Sequence, residues 1–501
     1  MTQPVSTRSL PASTKVFVVG GGISGIGLAI KLNQAGHHDF VIADRGSTVG
    51  GTWRDNTYPG AACDVPSQLY SFSFAPNKEW SRSYSAQPEI QRYLEQVTDD
   101  FGVRDHFHFN TEVTRMAWDE DQRHWRISTS SGDTTAKILI VAAGSLSAPR
   151  LPGIEGIESF TGEIWHSARW NHDFDLNDKR LAVIGTGASA IQIIPEVAGQ
   201  VARLDVYQRT APWVIPRNDR QYGAAERAAL RTVPGLNQLY RQSIRLGRET
   251  YVPAFTFAQS MGRAYQKLAE FNIARGLSKP ELAQAVVPDY KIGCKRILIS
   301  NDYYPALSRE HVDLITEPIS RITPTGIQTE DGQIREVDAI AVCTGFHTTD
   351  HPIAELIQGR REVVLAEQWR WHGASAYKGT TVPGFPNLFQ ITGPNTVLGH
   401  TSMIEIIEAQ IGYILGALDY MDHLDLDAIE PKENLTRAYT HELRMQLKNT
   451  IWNTGGCSSW YLDQAGRNTI SWPRSALAYV RQMHKFDADA YNITSARSLV
   501  S

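Results

Sequence analysis

Lys15-Val16-Phe17-Val18-Val19-Gly20-Gly21-Gly22-Ile23-Ser24-Gly25 is the stretch that decides the fold. Its apolar run, Lys15 to Val19, suits a central parallel strand buried on both faces. Gly20-x-Gly22-x-x-Gly25 follows, then helical spacing through Ile30 and Leu32, with Gly36 placed to end the helix. Phe40-Val41-Ile42-Ala43 reads as the next strand, closed by Asp44. This is one βαβ unit. Its glycines permit a tight turn, close backbone approach to a pyrophosphate, and close helix packing. The helix start adds free N–H groups and a favourable dipole. Asp44 lies 24 residues beyond Gly20. A carboxylate there accepts hydrogen bonds from a ribose diol and repels a 2′-phosphate.

The unit recurs 165 residues later. Leu181 to Ile184 reads as a strand, Gly185-x-Gly187-x-x-Ala190 as the turn, and Leu204 to Tyr207 as the next strand. Ala is tolerated at the last loop position. At the same offset of 24 stands Arg209, followed by Thr210. A guanidinium grips phosphate bidentately and suits the 2′-phosphate of NADP. The first loop is therefore expected to take FAD and the second NADPH. Each unit is followed by an apolar strand with a small-residue turn, Ile138 to Gly144 and Ala339 to Gly345.

The predicted fold class is α/β, with two Rossmann-like dinucleotide-binding domains. Residues 1–147 form the first part of the FAD domain. Residues 148–380 form the NADP domain, entered through the Pro- and Gly-rich stretch from Ala148 to Gly156. Residues from about 222 to 288 are rich in Arg, Ala, Leu, Gln and Glu at helical spacing, a helical insertion in that domain. Residues 381–501 return to complete the FAD domain, with a strand over Asn387 to Thr392 and then helices.

Other function classes are disfavoured. The formal net charge is -4, which points to neither nucleic acid nor an acidic membrane surface. The 15 histidines do not cluster at metal-ligand spacing, so no metal is expected. The four cysteines, Cys63, Cys294, Cys343 and Cys457, lie far apart without a C-x-x-C pair. They read as reduced, and their spacing argues against a dithiol flavoenzyme. Met1 to Ser13 lacks the basic-then-apolar pattern of a signal peptide, so the chain is expected to be cytoplasmic. The apolar stretch from Met403 to Met421 is interrupted by Glu405, Glu408 and Gln410 and reads as a buried helix. Neither a membrane nor an obligate protein partner is expected.

Three segments around the loops carry a family resemblance. Phe160-x-Gly162-x-x-x-His166-x-x-x-Trp170 resembles the fingerprint of the Baeyer–Villiger monooxygenases, with Asn171 where the family often has Pro or Asp. Gly50-Gly51-Thr52-Trp53, running through Tyr58-Pro59-Gly60 to Asp64, is similar to the family's second signature. Gly293-Cys294-Lys295-Arg296 with Asn301-Asp302-Tyr303-Tyr304 is similar to the region that supplies the family's active-site arginine.

The resemblance implies an NADPH-dependent flavoenzyme that inserts one atom of dioxygen beside a ketone carbonyl through a C4a-peroxyflavin, giving an ester or lactone. It extends to oxidation of sulfides. It implies that Arg296 is the active-site arginine and Asp64 its partner. Lys295 joins Arg209 and Thr210 on the NADP phosphate, and Trp53 sits at the flavin. Phe160, Gly162, His166 and Trp170 belong to the interdomain linker, and Trp460 to a loop lining the substrate pocket. By residue type alone, Arg296 and Asp64 also read as an ordinary ion pair, and His166 as structural. A flavin monooxygenase restricted to N- or S-oxygenation and a flavoprotein reductase are the competing readings. Trp170 and the Asp64 motif argue against the first.

Overall fold

The computed structural model describes residues 9–495. The first eight residues of the segment read as carrying no leader lie outside it. In chain order, the first unit holds β1 (Ser13–Val19), α1 (Ile23–Gln34), β2 (Phe40–Ala43), β3 (Phe107–His108), β4 (Val113–Asp119), β5 (His124–Thr129) and β6 (Gly132–Val141). The second holds β7 (Glu163–His166), β8 (Arg180–Ile184), α2 (Ala188–Val197), β9 (Arg203–Tyr207), α3 (Leu236–Glu249), α4 (Gly262–Gly276), β10 (Val312–Ile315) and β11 (Ala339–Val342). The chain then supplies β12 (Ile357–Gln358), β13 (Leu388–Gln390) and α5 (Met403–His423).

The first sheet has the order β12-β4-β5-β6-β1-β2-β3, with β13 also paired to the end of β6. Its nucleotide-binding half, β13, β6, β1, β2 and β3, is parallel. The second sheet, β10-β9-β8-β11-β7, is parallel throughout. Both are doubly wound sheets, as the two recurring units predict. Their central strands are fully buried: Val16, Phe17 and Val18 in one, Leu181, Ala182 and Val183 in the other, all at 0 % exposure. That double-sided burial is why they read as continuous apolar runs.

The two loops repeat the same local geometry. Gly20 has φ +110°, and a Cβ there would lie 2.7 Å from the Ala142 carbonyl oxygen. Gly185 has φ +112°, and its Cβ would lie 2.6 Å from that of Cys343. In each unit the strand after the crossover ends against the glycine that turns the chain, so no side chain fits.

Two expectations need correction. The chain rejoins the first sheet well before residue 381, because β12 pairs in parallel with Met116 and Ala117 of β4. A two-residue strand is too short to show a period in sequence. The helical insertion also does not belong to the second unit alone. Tyr222 is buried in the core of the first, Arg241 donates to the Gln68 carbonyl at 3.1 Å, and Arg245 pairs with Glu405 at 2.7 Å. The insertion bridges the two units. Met403–His423 is a buried helix packed on α1, and among the described residues no helix is long and apolar enough to cross a membrane.

Candidate active site

The two units meet where the second signature presses on α2. Tyr58 Oη donates to Gln192 Oε1 at 2.9 Å, Gln192 Nε2 donates to the Ala62 carbonyl at 3.0 Å, and Gly60 lies where a Cβ would be 2.6 Å from the Gln192 carbonyl oxygen. Close to this contact Asp64 meets the segment after Gly293. There Arg296 Nε and Nη2 donate to the two Asp64 oxygens, each at 2.7 Å. The side chains remain 29 % and 26 % exposed, so the pair is half-buried and not sealed in the core. Asp64 takes Nε and Nη2, which leaves Nη1 outside the pair.

The electrostatics are mutual. Burial pushes the Asp64 carboxyl up, but the Arg296 guanidinium outweighs it and holds the group below the usual carboxylate range. Asp64 in turn raises the Arg296 pKa further, against burial. Tyr461, adjacent to Trp460, is buried within electrostatic reach of both; burial pushes its hydroxyl up to about 12, against the pull of Arg296. Trp460 itself is 37 % exposed, its ring 4.3 Å from that of Tyr461. Tyr461 is the residue that sequence reasoning missed; its only signal was its place beside Trp460. Arg248 was missed as well. It sits at the end of α3 in the insertion and donates to the Asp64 carbonyl at 3.3 Å.

At the first loop, Asp44 is buried and accepts from Gly21 N at 2.6 Å and Gly46 N at 2.7 Å. It also accepts from Arg54 Nη1 at 2.6 Å, an ion pair not foreseen in the sequence. Gly22 lies close to Gly51, whose Cα would be 3.6 Å from a Cβ, so the loop and the second signature form one glycine-walled cradle. Gly25 would place a Cβ 2.0 Å from the Gly20 carbonyl oxygen, the close helix approach expected of it. Trp53 Nε1 donates to Tyr70 Oη at 2.9 Å.

At the second loop, nothing lies within 4 Å of a Cβ built on Gly187. The protein's own packing does not require glycine there, and the bare backbone fits a close-approaching phosphate. Ala190 is fully buried. Arg209 is exposed at the strand end, and Thr186 Oγ1 donates to the Thr210 carbonyl at 3.0 Å. Lys295 is brought near Arg209: burial, and then the Arg209 charge, lower its pKa below the usual lysine value. Two cations far apart in sequence thus come within electrostatic reach of each other, and the Lys295 ammonium lies over the Tyr290 ring, 5.1 Å from its centroid.

The fingerprint residues lie apart from this pair. Phe160 packs in the core beneath the second sheet, and a Cβ on Gly162 would meet the Asp338 carbonyl oxygen at 2.5 Å. Trp170 is buried edge-on to Trp165, with ring centroids 5.4 Å apart. His166 Nδ1 accepts from Ala168 N at 3.1 Å, so Nε2 carries the proton and donates to the Gly345 carbonyl at 2.9 Å. Gly345 stands where the chain recrosses between units, bonded to Arg150 N at 2.9 Å. The Gly345 carbonyl thus accepts both from His166 and from Arg150 of the first crossing.

Cys294 and Cys457 form a disulfide across a sequence separation of 163. The expectation of four reduced cysteines, on which the cytoplasmic placement partly rested, is corrected; only Cys63 and Cys343 are free, and both are buried. Linear spacing could not foresee a bridge that the fold alone brings together. The disulfide ties the segment bearing Arg296 to the loop bearing Trp460 and Tyr461.

Comparison with known proteins agrees with this architecture. The family model for pyridine nucleotide-disulphide oxidoreductases matches residues 17–252. A Baeyer–Villiger monooxygenase of Streptomyces coelicolor is 46 % identical over 483 residues, covering 96 % of this chain and 92 % of that one. Among solved structures, OTEMO in complex with FAD and NADP has a TM-score of 0.88 at 27 % identity, covering 97 % and 100 % of the two chains. Cyclohexanone monooxygenase from Rhodococcus sp. Phi1 bound to NADP+ has a TM-score of 0.87 at 28 % identity, with the same coverage. The fold and its paired loops define a two-nucleotide oxidoreductase. The chain belongs to the Baeyer–Villiger monooxygenases.

Proposed function

We propose that this enzyme converts a ketone to an ester or lactone, using FAD, NADPH and dioxygen, with Arg296 as the cation at the reacting centre. The observation that carries the reading is the bidentate Arg296–Asp64 pair, half-buried where the two nucleotide-binding units meet. Gly20, Gly22, Gly25, Asp44 and Trp53 hold FAD in this reading. Gly185, Gly187, Ala190, Arg209, Thr210 and Lys295 hold NADPH. The flavin, when bound and reduced, supplies the activation of dioxygen.

The chain's own residues supply orientation and charge. Oxygen insertion beside a carbonyl passes through a negatively charged adduct. Arg296 stabilises that charge because its guanidinium stays protonated at any working pH. Asp64 aims the fork, offsets the cost of a cation in a cleft, and leaves Nη1 for the reacting atoms. One oriented donor of this kind contributes about 3–4 kcal/mol of barrier lowering.

The test is a product analysis with the holoenzyme, NADPH, oxygen and a panel of ketones and sulfides. Esters or lactones support the reading. Sulfoxides without any ester would sink it in favour of heteroatom oxygenation, and hydrogen peroxide as sole product would favour a reductase.

A further inference from the structure

The helical insertion differs in charge from the rest of the chain, although Arg241, Arg245 and Arg248 of it are turned onto the protein. Residues 222–288 contain nine Lys and Arg against four Asp and Glu, a net charge of +5, whereas the whole chain is -4. The remainder therefore carries -9. The whole-chain balance, from which an acidic membrane surface was not expected, averages over this asymmetry.

The same segment displays large apolar side chains. Phe257 is 82 % exposed in the turn ahead of α4, the most exposed large apolar residue among those described. Met261, Leu268 and Phe271 follow at 48 %, 40 % and 57 %. Leu268 and Phe271, three residues apart, share one side of α4, with Met261 just ahead of its first turn; Ala269 and Ile273, four apart, lie on the side buried on the protein. Exposed Arg263, Lys267 and Arg275 border the side of Leu268 and Phe271, with Glu270 as the single acid on the helix. Isolated exposed apolar residues need no explanation, but a row of them rimmed by cations marks an interaction site.

We propose that this face seats on an anionic lipid surface. The partner must offer hydrocarbon to Phe257, Met261, Leu268 and Phe271, and negative charge to the flanking cations. An anionic bilayer interface offers both. A second copy packed face to face would oppose Arg263, Lys267 and Arg275 with the same three cations. A nucleic acid supplies the charge without the hydrocarbon layer. The position serves the enzyme: Tyr251 and Tyr265 meet edge-on with ring centroids 5.2 Å apart, which ties α4 to the end of α3, where Arg248 bonds Asp64. An apolar ketone dissolved in lipid would reach the protein at the element that adjoins the Arg296–Asp64 pair.

Flotation of the full-length holoenzyme with vesicles tests this without turnover, so its outcome is independent of the functional reading. Binding is expected to vesicles of phosphatidylcholine with about one-third phosphatidylglycerol, not to phosphatidylcholine alone, and to weaken as salt screens the charges. Phe257→Ser with Phe271→Ser, and separately Lys267→Glu with Arg263→Glu, should each cut the bound fraction at least about tenfold. Their kcat/KM on a short, water-soluble ketone should stay unchanged. Absence of binding, equal binding to neutral vesicles, or binding unaffected by either pair would overturn the proposal. So would a dimer in sedimentation velocity that the Phe257→Ser, Phe271→Ser protein loses while lipid binding is nil.

Discussion

Arg296 meets Asp64 with two nitrogens of its guanidinium fork, each 2.7 Å from a different carboxylate oxygen, across 232 residues of sequence. One partner comes from each nucleotide-binding unit, so the pair exists only when the units are docked. Its side chains stay partly open to solvent.

Arg296→Ala is expected to lower the rate of ester formation by about a hundredfold to a thousandfold, the loss typical of one oriented donor. Flavin reduction by NADPH should persist in stopped-flow absorbance, because the nucleotide loops are intact. An unchanged ester yield would remove Arg296 from the reacting centre.

Asp64→Asn tests the partner through pH. The Asp64 carboxyl is held below its ordinary value of 3.8 in the folded protein. A depressed carboxylate adds stability that is fully present above the unfolded value and lost as pH falls through the folded one. Chemical denaturation should therefore find the wild-type advantage over Asp64→Asn constant near neutral pH and shrinking below about pH 4. An advantage that stays constant into stronger acid would contradict the pairing.

Lys295 should impose a pH limit on the grip for NADPH. Burial and Arg209 lower its pKa below the ordinary 10.5, so it loses its proton at lower pH than a free lysine. The KM for NADPH is expected to climb on the alkaline side before that value is reached, and Lys295→Arg should flatten the climb. In parallel, Arg209→Ala should raise the KM for NADPH much more than that for NADH. Equal effects on the two cofactors would show that neither cation reads the 2′-phosphate.

The cysteines give a count. Thiol titration of the denatured, unreduced protein should find two free thiols, Cys63 and Cys343, rising to four after reduction. Replacing Cys294 and Cys457 together with Ala should cost about 2–4 kcal/mol of stability, since the bridge closes a long loop. Four thiols without reductant would dismiss the bridge.

The nucleotide units were legible because they are local. Strand, glycine turn, helix and strand lie within some thirty residues in each, and burial on both faces makes the strands apolar throughout. The expected strand over Phe40–Ala43 coincides with the observed one, and within the stretch from Ala339 to Gly345 the strand covers Ala339–Val342. The offset of 24 that separates Asp44 from Arg209 in kind is likewise a property of one unit. What failed was long-range or short: the two-residue strand Ile357–Gln358, and the bridge from Cys294 to Cys457.

By itself, then, the sequence determined the two dinucleotide folds and the opposite charge of their strand ends, while Arg296, Asp64 and Lys295 stood out only through the family resemblance of their motifs. Backbone geometry and burial patterning act over one turn of chain and leave their mark there. Tertiary structure decided which of these residues meet. It set Asp64 against Arg296 by pressing the Tyr58–Gly60 turn onto Gln192, and it brought Lys295 beside Arg209. It also placed Tyr461 and Arg248 beside the pair, and gathered the cations and bare aromatics of the insertion on one face. Contacts of that kind depend on how whole elements dock, and no spacing along the chain encodes them.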